Sequence, residues 1–503
     1  MKKNILIILS LIICWTEFSC NKDFLSKTDP TRVGANDFYK NETELGQAVN
    51  GVYGQLQGII NSQWLYNELP SDNTTIDFNP GDRGQAPSIE AFEFWTVNSG
   101  TGNINSMYVS YYNALYNINN TLVKLDNATS IADSVKAVFK GQLEFLRGYY
   151  YFELTQYFGD VILITEPLEV PSKAWDYERV PQAQVYTQIE TDLKDAASLL
   201  PPKYTAAADI GRITKGAALA LLGKVYLTEK KYPDAVTTLQ QVLTLGYSLV
   251  PNYADVFDPQ KKNGPESIFE VQYQGGNDLG EWSSFIYTFA PRLSKDAVTG
   301  WPQSNPGGWN IPTNDMIASY EPGDLRKAAS IGLDFKSPIT GDIVPYIKKY
   351  DHPHAIYGRT DDDWPVLRYS DVLLMLAEAI NEQTGPTSDA LSYLNQVRQR
   401  AGLPAVSGLD QQAFRSKVLH ERRVELAFEN WRWFDLKRTQ TPEQLTQFLN
   451  DYGSVEKANP TVSRQGIPYS SGDYIFQSYE VLYPIPSNEI LVNAKLTQNE
   501  GYQ

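Results

Sequence analysis

Four aromatic residues stand in the part of the chain that is richest in glycine, proline and asparagine: Trp282, Tyr287, Trp301 and Trp309. An indole or phenol ring on a loop offers a flat apolar face on which the C–H groups of a sugar ring can stack. The alternative is that each ring plugs its loop onto the underlying helices, and the sequence leaves both interpretations open. We therefore treat the four residues as candidates for a ligand-stacking platform.

A second candidate group lies in a segment dense in turn-forming residues, positions 77–84. Asn79 and Arg83 could hydrogen-bond the hydroxyl groups of a stacked sugar, because an amide and a guanidinium supply the required donors and acceptors. The oxygens of Asp77, Asn79 and Asp82 could instead ligate calcium, but their spacing lacks the EF-hand pattern and its terminal Glu. We therefore interpret the oxygens of Asp77, Asn79 and Asp82 as turn caps rather than calcium ligands, and keep Asn79 and Arg83 as candidate ligand-binding residues.

Carboxylates that could do acid–base chemistry recur near the C-terminal end, where Glu421, Glu425 and Glu429 are four residues apart and would share one helix face. Two facing carboxylates are what a glycosidase requires. The same segment carries several cations: Arg422, Arg423 and Arg432. This mixture favours a structural ion-pair network, so we predict no catalytic residue.

The composition excludes several classes of function. A formal charge of −16 over 503 residues would repel phosphate backbones, so no nucleic-acid partner is expected and a neutral ligand fits better. Three His and two Cys leave few soft metal ligands, so we expect neither a metal site nor a cofactor. Aromatic residues make up 12% of the chain, more than a core alone requires, which indicates that some face a ligand.

The N-terminus reads as an export signal over residues 1–19. Lys2 and Lys3 precede an apolar run that is too short to remain as a membrane span. Cys20 follows the small residue Ser19 and is the candidate for lipidation, with Cys14 as the weaker competitor. Several acyl chains on Cys20 would hold the protein at a membrane stably. The alternative is a plain secretory signal with an incidental thiol.

The elements that must position the candidate groups are mostly helices. Apolar residues three and four apart predict helices over residues 37–58, 107–125, 134–158 and 182–200, and again over 366–379, 390–402 and 420–438. The third has a wide aromatic face that includes Leu146, Tyr150 and Tyr157, and Gly159 ends it. Between residues 252 and 365 regular spacing is lost, as in a long functional loop region.

Two helix pairs have the spacing of tetratricopeptide repeats. Gly223, Tyr226 and Ala235 stand at the repeat's offsets, and the small residues allow two antiparallel helices to approach closely. A fainter copy includes Ala390, but Glu378 occupies its glycine position. The predicted fold class is therefore mainly α, with tetratricopeptide-like helix pairs forming a superhelical scaffold beside a loop-rich ligand-binding region.

Several segments resemble the SusD/RagB family of surface glycan-binding lipoproteins. Within residues 146–161 the resemblance to R-x-x-x-Y-F-x-L-x-x-x-F-G-x-V is carried by Arg147, Tyr151, Phe152, Leu154, Phe158, Gly159 and Val161. Further blocks resemble the family at residues 366–379, 390–402, 420–438 and 482–502, so that the resemblance covers nearly the whole chain. Trp431 departs from it, because the family often has His at this position.

The resemblance implies a signal peptide (1–19), an N-terminal helical-repeat region (20–250) and a C-terminal region with the loop-rich segment (251–503), in one compact fold. It implies a non-enzymatic lipoprotein anchored on the outer face of the outer membrane. Its expected partners are a neutral oligosaccharide or polysaccharide and a SusC-like TonB-dependent transporter, which imports the captured glycan. The alternatives are the peptide-binding lid of a RagAB-type importer and a surface glycoside hydrolase.

Overall fold

The computed structural model describes residues 39–168, 170–276, 278 and 280–502. The predicted signal peptide and the lipidation candidate Cys20 lie outside these residues. Within them, every helix is too short or too polar to cross a lipid bilayer.

Helices dominate the first half of the chain, as predicted. The first is capped by the side chain of Asn41 and runs to Asn67, beginning and ending later than the sequence predicted. The helices predicted at 107–125, 134–158 and 182–200 are confirmed to within a few residues. The elements of this half are α1 (Glu42–Asn67), β1 (Thr74–Thr75), α2 (Ala86–Glu93), α3 (Gly102–Asp126), α4 (Asp133–Phe158), β2 (Val161–Ile162), β3 (Arg179–Val180), α5 (Gln182–Leu199), α6 (Lys215–Thr228) and α7 (Tyr232–Val242).

Helix α4 lies at the centre of the scaffold. Every residue from 141 to 158 is buried, so this half of the helix is enclosed on all sides and does not merely present one aromatic face. Gly159 ends the helix with a φ of +71°, and a Cβ there would lie 2.8 Å from Leu482 Cδ1. The glycine therefore serves both the backbone conformation and the close approach of the C-terminal segment.

The tetratricopeptide-like pairing is confirmed. In the α6–α7 pair a Cβ on Gly223 would lie 2.3 Å from Leu239 Cδ2, so only glycine allows this approach. The fainter copy forms α12 (Tyr369–Thr384) and α13 (Ser388–Arg400). Its Glu378 is tolerated because the carboxylate accepts a hydrogen bond from Arg438 Nη2, which lies outside this helix pair, at 2.9 Å.

The loop-rich region contains only short elements. They are β4 (Ser267–Val271), α8 (Phe285–Phe289), α9 (Asp296–Thr299), β5 (Ile311–Pro312), α10 (Asn314–Ser319), α11 (Arg326–Ser330), β6 (Ile331–Gly332), β7 (Tyr346–Ile347) and β8 (Trp364–Arg368). The described strands form two-stranded antiparallel ladders: β1 with β5, β2 with β3, β4 with β8 and β6 with β7. The helix predicted from residue 366 is wrong for positions 366–368, because a fully buried strand and a buried helix both read as an uninterrupted apolar run.

The C-terminal part continues with α14 (Gln411–Glu425), α15 (Arg432–Thr439), α16 (Pro442–Ala458) and α17 (Ser487–Val492). The predicted helix over 420–438 is broken, since Phe428 and Asn430 adopt φ values of +63° and +67°. One hydrophobic core contains residues from Leu45 to Ile485 and joins both halves of the chain. The predicted boundary near residue 250 stays a prediction.

Candidate functional site

Two of the predicted stacking residues, Tyr287 and Trp301, meet in the loop-rich region. With them lie His354 and Tyr357, which the sequence did not single out. The Trp301 ring is 6.0 Å from that of His354 and 5.9 Å from that of Tyr357, while Tyr287 and Tyr357 meet edge to face at 5.3 Å. We call these four residues the aromatic platform. Tyr357 is 43% exposed and the other three are half-buried, so ring surface is available to a ligand.

Short turns hold the platform in place. Tyr287 lies on α8 between Phe285 and Phe289, which are buried in the core beneath it. Trp301 directly follows Gly300, whose left-handed φ of +72° ends α9. Tyr357 lies in a tight turn completed by Gly358, where φ is +76°. The rings are thus presented by irregular backbone that is fixed to a packed base.

A hydrogen-bond relay stiffens the platform. The Tyr287 hydroxyl lies 2.6 Å from His354 Nε2, and His354 Nδ1 lies 3.0 Å from the His352 carbonyl oxygen. Because a carbonyl only accepts, His354 Nδ1 donates to it, and in the tautomer with the proton on Nδ1 the Nε2 atom accepts the hydrogen bond of the Tyr287 hydroxyl. Burial opposes protonation of His352, but the hydrogen bond from its Nδ1 to Asp362 and the negative charges of Asp362, Asp258 and Asp351 together outweigh burial and raise the pKa of His352.

Trp282 lies beside the platform, and the turn that carries Tyr357 also carries its contact residue, Arg359. The Arg359 guanidinium stands 4.3 Å from the Trp282 ring centroid and pairs with Asp278 at 2.5 Å. Antiparallel bridging of Ser283 with Thr360 fixes this arrangement. Since Tyr357 and Arg359 are two residues apart, one turn connects Trp282 to the platform.

The other predicted site residues lie elsewhere. Trp309 is half-buried and packs against the main core, and its backbone N–H donates to the Thr288 carbonyl at 3.0 Å. The Asn79 side chain accepts the Gly81 N–H at 3.1 Å. Arg83 pairs with Glu90 through two hydrogen bonds of 2.9 and 2.8 Å. The structure therefore brings together Tyr287 and Trp301, with Trp282 adjacent.

The turn-cap interpretation is confirmed for Asn79 and Asp82 and is wrong for Asp77, whose partner Arg292 lies in a distant segment. Besides Asn79, the Asp82 side chain accepts the Gln85 N–H at 3.2 Å, and Asp77 Oδ2 accepts the Arg292 N–H at 2.9 Å. Each of these oxygens is occupied by a backbone donor. In the part of the chain that the structure describes, no cluster of His, Cys, Asp and Glu has the arrangement of a metal site.

The three C-terminal carboxylates form a buried ion-pair network. Glu425 contacts Arg326, Arg368 and Arg400 at 3.1, 2.9 and 2.5 Å. Burial alone would raise the pKa of Glu425, but these cations outweigh it and hold the pKa well below its usual range. A permanently ionised carboxylate cannot serve as a general acid.

Two details of that prediction were wrong. Glu429 lies beyond the end of α14, although its carboxylate joins the network through Arg368 at 2.7 Å. The neighbouring cations pair elsewhere: Arg422 with Asp371, and Arg423 and Arg432 with Asp72. The cations that neutralise the glutamates come from distant segments, which spacing within one helix cannot reveal.

Comparison with known proteins identifies the family. A family described as SusD matches residues 336–502, and one described as starch-binding and associating with the outer membrane matches residues 23–227. The chain belongs to the SusD/RagB family. The SusD-like protein P25 of Formosa agariphila is 26% identical to this SusD/RagB protein, covering 99% of each chain. The starch-binding protein SusD of Bacteroides thetaiotaomicron is 24% identical over 96% of each.

Solved structures have the same fold. A SusD-like protein from Bacteroides fragilis superposes with a TM-score of 0.76 at 25% identity, covering 95% of this chain and all of that one. A laminarin-binding SusD-like protein superposes with a TM-score of 0.75 at 28% identity, covering 92% of this chain and all of that one.

Proposed function

We propose that this SusD/RagB protein captures an oligosaccharide or polysaccharide by stacking the apolar faces of its sugar rings on the aromatic platform. The observation that carries the proposal is the convergence of Tyr287, Trp301, His354 and Tyr357 into one cluster of partly exposed rings. A rigid cluster of this kind loses little conformational entropy when a ligand stacks on it. The laminarin-binding and starch-binding proteins among its relatives support a glycan as the ligand.

The captured glycan would be delivered to a SusC-like TonB-dependent transporter, with the chain anchored on the cell surface through lipid on Cys20. The family description that mentions association with the outer membrane supports this location. Co-purification of the lipidated chain with the transporter expressed beside it tests the partnership. Loss of the complex in a Cys20→Ala variant that still folds is the expected result if the anchor holds both proteins at one membrane.

Binding without catalysis is the second part of the proposal. In the sequence, Glu421, Glu425 and Glu429 were the candidates for catalysing hydrolysis. Their burial and their pairing with cations support a structural role instead. Incubation with a labelled glycan that the protein binds should therefore release no product.

Calorimetry with wild-type protein tests glycan capture, using laminarin, starch-derived oligosaccharides and a peptide mixture as titrants. Trp301→Ala should weaken binding about fivefold or more, since stacking on a large ring contributes on the order of 1–3 kcal/mol. Trp175→Ala is the matched control, because Trp175 is 56% exposed but belongs to a different surface.

Equal affinity of wild type and Trp301→Ala for a bound glycan would refute the platform assignment. Trp301-dependent binding of peptides with no glycan binding would instead support the peptide-binding alternative. Both variants remove an indole from the surface, so their thermal stabilities allow a loss of folding to be separated from a loss of contact.

A further inference from the structure

A second concave surface lies next to the loop that carries Asn79 and Arg83. It is lined by both aromatic and charged side chains, and we call it the Arg464 groove: Phe78, Arg83, Glu90, Phe94, Arg464 and Asp473. Its walls come from the turn-rich segment 77–84, from α2 and from the segment that follows α16.

Arg464 is clamped between two rings. Its guanidinium carbon lies 4.0 Å from the ring centroids of both Phe78 and Tyr469. Its Nε donates to the Ile467 carbonyl at 3.3 Å. Aromatic contacts and this hydrogen bond together fix the plane of the guanidinium, so its terminal N–H groups are held in a defined orientation.

The charge of Arg464 has no acidic counterpart among the described residues, where no carboxylate lies within ion-pair distance of it. The other cation of the groove, Arg83, is neutralised by Glu90 at 2.8 Å. Asp473 Oδ2 accepts the Ser470 N–H at 2.8 Å. Most of the described arginines have an acidic partner, and Arg464 belongs with Arg179 and Arg292 to the few that have none.

The groove is physically connected to the aromatic platform. The Asp77 N–H donates to the Gly308 carbonyl at 2.7 Å, and the Gly307 N–H donates to the Tyr287 carbonyl at 3.1 Å. Arg292 Nη1 donates to the Phe78 carbonyl at 2.6 Å. The loop under the platform and the wall of the groove thus form one continuous support.

We propose that the Arg464 groove binds the carboxylate of a uronic acid residue in the glycan. The inference rests on glycan capture as the function and specifies the class of substrate. A carboxylate matches the planar guanidinium because two parallel N–H donors can reach both oxygens. The net charge of −16 opposes such a ligand only at long range, where salt screens it, whereas the Arg464 contact acts at hydrogen-bond distance.

The test is calorimetry of the full chain with oligogalacturonate, alginate oligosaccharides and glucuronoxylan oligosaccharides. Methyl-esterified oligogalacturonate is the matched uncharged ligand. A charge-assisted hydrogen bond is worth enough that Arg464→Gln should weaken binding of the recognised uronate about tenfold or more. The same variant should bind the methyl ester as the wild type does, and affinity for the uronate should fall with added salt only while Arg464 is present.

Two further variants keep the result interpretable. Arg464→Lys retains the charge but loses the fork, so it should restore part of the affinity. Lys203→Gln removes one exposed positive charge that does not line the Arg464 groove, and it should leave uronate affinity unchanged. Unfolding curves for all variants separate loss of the contact from loss of the fold.

The inference is overturned if no uronate binds more tightly than its uncharged counterpart, or if Arg464→Gln weakens charged and esterified ligands equally. Binding of sulfated carrageenan oligosaccharides in preference to every uronate would also overturn it, since sulfate would then be the recognised group. Failure of glycan capture is distinguished by Trp301→Ala, which tests the platform independently of ligand charge.

Discussion

Arg147 on α4 and Asp192 on α5 form a two-pronged ion pair inside the helical scaffold. Arg147 Nε and Nη2 donate to the two carboxylate oxygens at 2.9 and 2.6 Å, and Nη1 donates to Asn119 at 3.1 Å. Arg147 belongs to the sequence segment that carries the family resemblance. Through Asp192 and Asn119, Arg147 ties α4 to both α5 and α3.

Removal of this arginine should strongly destabilise the fold. Arg147→Met leaves Asp192 buried and uncompensated, which costs about 3–5 kcal/mol of unfolding free energy. Urea denaturation followed by circular dichroism measures the change. The control is Lys194→Met on α5, because the Lys194 side chain is 54% exposed and its partner Glu190 keeps a second cation, Lys231, so the loss should be less than about 1 kcal/mol. Equal effects of the two substitutions would contradict the buried pair.

Gly223 should not tolerate even a methyl group. A Cβ would lie 2.3 Å from Leu239 Cδ2, so Gly223→Ala forces α6 and α7 apart and should cost about 1–3 kcal/mol. Gly54→Ala on α1 is a control of opposite sign, because a Cβ there meets no atom within 4 Å and alanine favours a helix by about 1 kcal/mol. Thermal unfolding measures both, and a stabilised Gly223→Ala variant would refute the close packing.

Glu153 should make the protein less stable as pH rises. Burial raises the pKa of Glu153 to about 7 although Tyr111, Tyr149 and Gln63 donate hydrogen bonds to it. This pKa lies above the value of 4.5 expected in the unfolded chain. Between pH 4.5 and about 7, the folded state therefore binds one more proton than the unfolded state. The contribution of Glu153 to stability is therefore fully present below pH 4.5, falls as pH rises through 4.5 to 7, and is lost above 7.

Substitution by a neutral isostere should remove that dependence. Glu153→Gln should reduce the loss of unfolding free energy between pH 5 and pH 8 by about 2–3 kcal/mol, as a pKa difference of this size implies. Denaturation at the two pH values in wild type and variant measures it. Other buried carboxyls titrate in both proteins, so the informative quantity is the difference between them. Parallel pH profiles would show that Glu153 is already ionised.

The relay beneath the platform should affect affinity for the bound glycan. Tyr287→Phe removes the hydroxyl that contacts His354 at 2.6 Å while keeping the ring. A lost hydrogen bond of about 0.5–1.5 kcal/mol corresponds to roughly three- to tenfold weaker glycan binding by calorimetry. Tyr116→Phe is the control, because Tyr116 is 49% exposed on α3. Unchanged affinity in Tyr287→Phe would show that the relay does not organise the site.

The helical scaffold could be predicted from the sequence because its signals are local. The spacing around Gly223 and Ala235 requires close helices, and the observed contact with Leu239 gives the physical reason. In the same way, side chains three and four apart placed α4 almost to the residue, since a helix turn has 3.6 residues. What the pattern missed was that α4 is enclosed on every side.

Breaks in regular structure were harder to predict. In the turn between α14 and α15, Phe428 and Asn430 adopt left-handed backbone conformations. Because neither residue is a glycine, the sequence does not signal the turn. Likewise β8 reads as a helix start, because burial on both faces removes the alternation that usually identifies a strand. Tertiary packing overrode local preference at both places.

By itself, the sequence determined the family, the helix pairs and the loop-rich region as the place for a site, since each depends on residues close together in the chain. Only the tertiary structure decided that Trp301 and Tyr287 share a surface with His354 and Tyr357, and that Arg464 lies between Phe78 and Tyr469. Tyr287 and His354 are 67 positions apart. Such contacts form when loops that are distant in the chain pack on a common core. Periodicity reports only on residues that are near one another in the chain, so it cannot predict them.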